Sequence, residues 1–309
     1  MISGLEYHQF ISDKIERYLE KYTYGKYKNN LLSLRNSGKL FFLSELRNMF
    51  SGTDFFCLGT GGSVANIKNI ERLKSKNLMV TTYAPYHLQK IYGISSNFWP
   101  ISYAPVVDYV LQMENNSGFI MDLSDTYVLI PTHESNTKVN VYSPAIRRLM
   151  RKHPEATYVL FNRMEASILH GRVSPSFLQP GVEPILCFDD HTLHNLFVPI
   201  LSFLGVKNIY FSGVDLIPET GHFWDRDVHY QSMNGKPLKF PENLKIKQGQ
   251  EIVDQHIGST EIYRLEPHET RLTNYPLISF EDALNVSGNR PEISILKETI
   301  KPFLFHKYF

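Results

Sequence analysis

The stretch that most constrains this chain is Phe55-Phe56-Cys57-Leu58-Gly59-Thr60-Gly61-Gly62-Ser63-Val64. A short apolar run enters a glycine cluster, and apolar residues then recur at helical spacing at Val64, Ile67, Ile70 and Leu73. That order is the pattern of a buried first strand, a tight turn and a helix N-terminus. Backbone N–H groups at such a turn, with the positive end of a helix, make an anion site. Glycine lets a phosphate approach the main chain without a Cβ in the way, and Ser63 reads as the helix N-cap. Gly59, Thr60, Gly61, Gly62 and Ser63 are therefore candidate nucleotide contacts, although a plain strand–helix turn accounts for the same residues. There is no Gly-Lys-Ser/Thr, so the turn is not a P-loop. Val64 stands where a third fingerprint glycine would be, and the next apolar run, Leu78 to Tyr83, ends without an acidic residue for a ribose. A dinucleotide dehydrogenase is disfavoured on both counts.

Short apolar runs at 78–82, 127–131, 156–161, 185–188, 209–211 and 262–265 alternate with helical patterns at 84–94, 104–113, 143–152 and 192–204. Alternation of this kind predicts an α/β fold, a mostly parallel Rossmann-like sheet with helices on both faces. Residues 1–50 read as a helical N-terminal segment that packs on the main domain or serves self-association as a homo-oligomer. Residues 51–215 read as the nucleotide-binding α/β domain, 216–258 as a lid insertion, and 259–309 as a last strand and C-terminal helix completing the main domain. In the lid the apolar periodicity stops, and His222, Trp224, Asp225, Asp227, His229 and Tyr230 crowd among prolines. That is too rich in reactive side chains for a spacer. Leu244 to His256 then reads as a helix, and the tail from Ile293 to Leu304 as an amphipathic helix docked on the core. A peripheral contact of that tail with the inner membrane is the alternative.

A net charge of +1 over 309 residues gives no electrostatic reason for a nucleic-acid partner. The two cysteines, Cys57 and Cys187, both sit in apolar runs and read as buried reduced thiols in a cytoplasmic protein. No apolar run approaches transmembrane length.

The second anchor is Asp189-Asp190-His191-Thr192-Leu193-His194, an apolar helix, and then Leu204-Gly205-Val206-Lys207-Asn208-Ile209-Tyr210-Phe211-Ser212-Gly213-Val214-Asp215. It reads as a helix–strand unit whose polar residues lie at the strand's carboxyl end, the edge beyond which open α/β sheets bind ligands. Taken with Leu58–Val64, it resembles the bacterial CMP-sialic-acid-dependent sialyltransferases (glycosyltransferase family 42) and the related motility-accessory-factor glycosyltransferases. Those carry a Gly-x-Gly-x-Ser-hydrophobic turn and, later, a Leu-Gly-x-Lys-x-Ile-Tyr-hydrophobic-Ser-Gly-hydrophobic-Asp stretch. The match covers about Phe55 to Val80 and Thr192 to Asp215, and extends less strictly to Leu265.

The resemblance implies a GT-A-like nucleotide-binding domain with a lid, a CMP-activated acidic sugar as donor substrate, a glycan acceptor and no essential metal or other cofactor. Carried over, Gly59, Gly61 and Ser63 would line the CMP site. Tyr83, Ala84 and Tyr86 would contact nucleotide or sugar at the second strand's exit, and Asp215 would lie beneath. A lid histidine would be the general base: His229 first, because the family pairs His with Tyr there as in His229-Tyr230, and His222 second. Tyr230 would support the leaving phosphate or orient the base. The family's Thr-Ser-Gly before the second motif is matched only at Thr192. His191 and His194 beside it, three apart at a helix start, read as solvent- or substrate-facing histidines, with a transition-metal site shared with Asp190 as the alternative. Asp225-Arg226-Asp227 is the rival feature, since paired carboxylates suit Mg or Mn in a metal-dependent UDP- or GDP-sugar transferase. A hydrolase would need a Gly-x-Ser-x-Gly elbow, which is absent. A nucleotide- or glycan-binding module without catalysis is the non-enzyme alternative.

Overall fold

A computed structural model describes residues 30–101, 104–131, 143–161, 163–166, 185–188, 194–217, 221–224, 251, 254, 257–266 and 270–290. Its frame is a nine-stranded sheet in which every neighbouring pair runs parallel. The strands are β1 (Leu40–Phe42), β2 (Asp54–Leu58), β3 (Leu78–Val80), β4 (Phe98–Pro100), β5 (Tyr127–Pro131), β6 (Thr157–Phe161), β9 (Asn208–Ser212), β10 (Glu261–Leu265) and β11 (Leu277–Ile278). Their spatial order is β1-β6-β5-β4-β3-β2-β9-β10-β11. A separate parallel pair joins β7 (Arg163–Ala166) to β8 (Ile185–Phe188).

Successive residues of a strand point to opposite faces, and the core divides accordingly. Phe55, Cys57, Met79, Leu129, Val159, Ile209 and Phe211 share one cluster with Phe197, Ile200 and Leu201 of helix α4 (His194–Phe203). On the other face Phe56, Leu58, Val80 and Tyr210 meet helix α1 (Ala84–Tyr92) and helix α5 (Phe280–Val286). Further along that face Val128, Ile130, Tyr158 and Leu160 meet α2 (Ala104–Ser117) and α3 (Pro144–Lys152). The central strands are buried on both sides, which is why they read as continuous apolar runs. The expected parallel α/β sheet with helices on both faces is what the chain forms.

Three local differences have physical causes. The helix expected after the turn is instead two short 3-10 helices, Gly62–Asn66 and Ile70–Ser75, and the first is capped by Gly61, not Ser63. Ser63 cannot cap because its side chain is committed elsewhere, and Asn69 at φ +57° interrupts the path between them. Within the segment expected to be helical over 1–50, residues 40–42 are a strand that continues the sheet past β6. Gly38 at φ +67° follows the helical residues 30–36, and Leu40 is wholly buried against the sheet. Helix α5 was not anticipated, yet its start is written in Ser279, whose Oγ accepts the Asp282 N–H at 3.0 Å. Among the described residues, no helix is long and apolar enough to cross a membrane. Most of Leu244–His256, and all of the tail helix, lie outside the described residues.

Candidate functional site

Strand order reverses between β2 and β9. From β2 the chain steps to β3 on one side; from β9 it steps to β10 on the other. The two strands are hydrogen-bonded neighbours in register from Asp54 with Asn208 to Leu58 with Ser212. Their exits lie side by side at the carboxyl edge, the crevice position at which open α/β sheets hold ligands.

The two exits are fastened to each other. Gly59 N–H donates to the Ser212 carbonyl at 2.9 Å, and Gly61 N–H to that of Gly213 at 2.8 Å. Ser63 gives its hydroxyl proton to Asp215 Oδ1 at 2.5 Å and its N–H to Oδ2 at 3.1 Å. The same hydroxyl accepts the Gly213 N–H at 2.9 Å and lies 3.1 Å from Ser212 Oγ. Asp215 is 1% exposed, so its carboxyl oxygens meet protein donors in place of bulk water. The glycines follow from this closeness. A Cβ on Gly59 would overlap the Gly213 carbonyl, and one on Gly61 would overlap the Asp215 carboxylate. Gly213 sits at φ +74°, a region that favours glycine.

This geometry changes what the turn can do. The N–H groups of Gly59, Gly61 and Ser63 point at β9's exit, and that of Val64 donates to the Gly61 carbonyl at 3.2 Å. An anion arriving there would compete with bonds already made. The turn is the floor of the crevice, with an internal carboxylate where a phosphate was expected. Thr60 is nearly buried, and its carbonyl accepts the Phe223 N–H at 3.1 Å; Gly62 is buried.

Residues 221–224 cross over the turn as a strap, with His222 bridged antiparallel to Gly61. The Trp224 indole lies between two imidazoles. His87 of α1 is 3.9 Å away, centroid to centroid, with planes 3° apart. His222 is 4.5 Å away on the other side, at 5°. Phe223 meets the indole edge-on at 4.8 Å. Behind the stack, His87 Nε2 is 3.2 Å from the Tyr109 hydroxyl on α2, and Tyr109 leans on Tyr83 at 4.5 Å. Burial, and then the charges of His222 and Lys90, lower the His87 imidazole to about 3, so it stays neutral at working pH.

Two more residues at this edge carry backbone strain. Thr82 after β3 stands at φ +48° and Leu216 after β9 at φ +57°, conformations that cost a non-glycine residue roughly 1–3 kcal/mol and cluster at functional sites. The Thr82 carbonyl accepts the Trp99 indole N–H at 3.0 Å. Its hydroxyl is buried with no hydrogen-bond partner among the described residues.

Of the residues named from sequence, Gly59, Thr60, Gly61, Gly62, Ser63, Asp215, His222 and Tyr83 come together here. Ala84 and Tyr86 do not face the crevice. Both are wholly buried, and the Tyr86 hydroxyl is bonded across α2 to Ser117 Oγ at 2.6 Å. His194 is the first residue of α4. His191, Thr192, Asp225, Asp227, His229 and Tyr230 lie outside the described residues. Sequence reasoning missed His87 and Tyr109, because each sits in a helical pattern that reads as core; it missed Thr82 because backbone strain leaves no mark in composition. Among the described residues, no three His, Cys, Asp or Glu side chains are grouped to hold a metal ion.

Strand order, the reversal between β2 and β9 and the fastened exits define a Rossmann-like parallel α/β protein. No protein-family model matches the chain, and no curated protein matches it.

Proposed function

We propose that this chain is a glycosyltransferase that moves a nonulosonic, sialic-acid-like or related keto-sugar from a CMP-activated donor to a glycan hydroxyl. The observation that supports it most is the meeting of the two resemblance-bearing motifs at the topological switch, joined through Ser63 and Asp215. Motifs far apart in sequence that close on each other at a ligand edge are what a shared binding site requires.

In this reading residues 216–258 are the lid over a GT-A-like domain. The floor of the crevice is the turn and Asp215. Nucleotide contacts fall to Thr60 and Gly62 at the turn, to Tyr83 beyond β3, and to Thr192 ahead of α4. The acceptor oxygen attacks the anomeric carbon while the bond from that carbon to the CMP phosphate oxygen breaks. CMP departs with the bonding pair, and the acceptor's proton passes to a lid imidazole, whose near-neutral pKa suits the work. His229, with Tyr230 beside it, and His222 are the two candidates. The reaction takes place in the cytoplasm. Binding of UDP with a divalent cation in place of CMP would shift the role to Asp225 and Asp227.

A transfer and donor-hydrolysis assay with CMP-activated keto-sugars tests this. Replacing the base by alanine should lower turnover by ~10²-fold or more while leaving CMP affinity unchanged. Loss in His222→Ala but not His229→Ala assigns the base to His222. Full turnover in both variants removes the general-base mechanism.

A further inference from the structure

We infer that Trp224 and His87 are positioning residues that fix the ring plane of His222, one of the two candidate bases, on a strap whose backbone is bridged to the Gly61 turn. The inference rests on the transferase reading and adds to it the residues that orient the base.

A base is useful only if its ring is held in one orientation within reach of the proton. His222 lies on a short strap, and a lone imidazole on a strap has free rotation about two side-chain bonds. Here its ring plane is set within 5° of the Trp224 plane. Trp224 is set within 3° of His87 on its other face. His87 is in turn anchored on a rigid element: it belongs to α1, is 6% exposed, and its Nε2 is 3.2 Å from the Tyr109 hydroxyl. The order runs from packed helix to indole to imidazole, and the last ring belongs to the residue whose backbone is bridged antiparallel to Gly61. The backbone fixes the same point, because the Phe223 N–H is bonded to the Thr60 carbonyl.

The chemistry suits the order. A neutral His87 adds no positive charge behind the indole, so the ring that gains the acceptor's proton is the outer one. The indole face then stabilises that imidazolium by cation–π attraction. A second cation on the inner face would oppose it.

The test compares Trp224→Leu, which removes the aromatic face, with Trp224→Phe, which keeps one. In the wild type, the His222 ring protons should show an upfield ring-current shift by NMR of histidine-labelled protein. The shift should vanish in Trp224→Leu and persist in Trp224→Phe. Turnover with a CMP-activated keto-sugar should fall by about 10-fold or more in Trp224→Leu, with KM for the donor within about twofold, and stay within a few-fold of wild type in Trp224→Phe. His222→Ala should lose at least as much as Trp224→Leu. A Trp224→Leu variant with normal turnover, or a His222 resonance that does not move, overturns the positioning role while the transferase reading stands. A folded wild-type chain that transfers from no CMP-sugar overturns both.

Discussion

At the scale of single residues, the buried histidines give opposite pH signatures. His87 is held neutral by burial, its value lowered to about 3. The unfolded chain takes up that proton near pH 6.5, the folded chain does not, so this contribution to stability is present above 6.5 and lost as pH falls toward 3. The slope is about 1.4 kcal/mol per pH unit once the unfolded side chain is protonated. His87→Gln should flatten that acid-side slope in urea titrations between pH 6 and pH 4; an unchanged slope would mean that His87 is protonated in the native state.

His153 behaves in the other sense. Burial would lower it, but hydrogen bonding and attraction from Glu114, and then from Glu155, outweigh burial and raise it. Glu114, wholly buried at its side chain, would be pushed up by burial; the His153 ring, the Met121 N–H and Lys152 bring it below the ordinary range. The His153 part is complete below about pH 6.5 and lost as pH rises through its raised value. The Glu114 part is complete above about pH 4.3 and lost as pH falls through its lowered value. Both hold between those limits, where Glu114→Gln should cost about 3 kcal/mol by urea denaturation at pH 5.5. The penalty should shrink in alkali; one that grows with pH would contradict the pairing.

At the scale of elements, the Ser63–Asp215 contact carries the account of the crevice. Ser63→Ala leaves the N–H bond but takes away the hydroxyl that serves Asp215 and the Gly213 N–H. Loss of partners for a buried carboxylate should cost about 1–3 kcal/mol, read as a lowered midpoint in chemical denaturation; no change would show the contact to be incidental. A similar argument applies to α5, whose last turn receives the Lys76 amine on the Leu284 and Ser287 carbonyls at 3.1 and 2.7 Å.

Elements also show what a sequence discloses. β2, β5, β6 and β9 were legible because central strands of a parallel sheet are apolar on both faces, and such runs survive without context. Helix α3 was legible from its apolar spacing and basic end. β1 was not, because Leu40-Phe41-Phe42 sits next to helical residues and becomes a strand only by pairing with β6. β4 ends in Pro100, which interrupts the pattern that would have marked it. The turn was legible as a turn. What fills it was not, since the partner of Ser63 is 152 residues away and only the folded sheet brings it there.

At the scale of the whole molecule, β2 and β9 are neighbours in the sheet, so the exits that carry the two motifs lie side by side. That adjacency brings the two motifs to one edge of the sheet; it does not by itself choose a ligand. The central claim is that the crevice takes a cytidine nucleotide, and calorimetric titration of the full chain with CMP, CDP, UDP and NAD tests it most directly. The account predicts saturable binding of CMP, stronger than that of UDP or NAD and independent of added Mg or Mn, and still present in Trp224→Leu and His222→Ala. Binding of UDP with a divalent cation and no binding of CMP would contradict it.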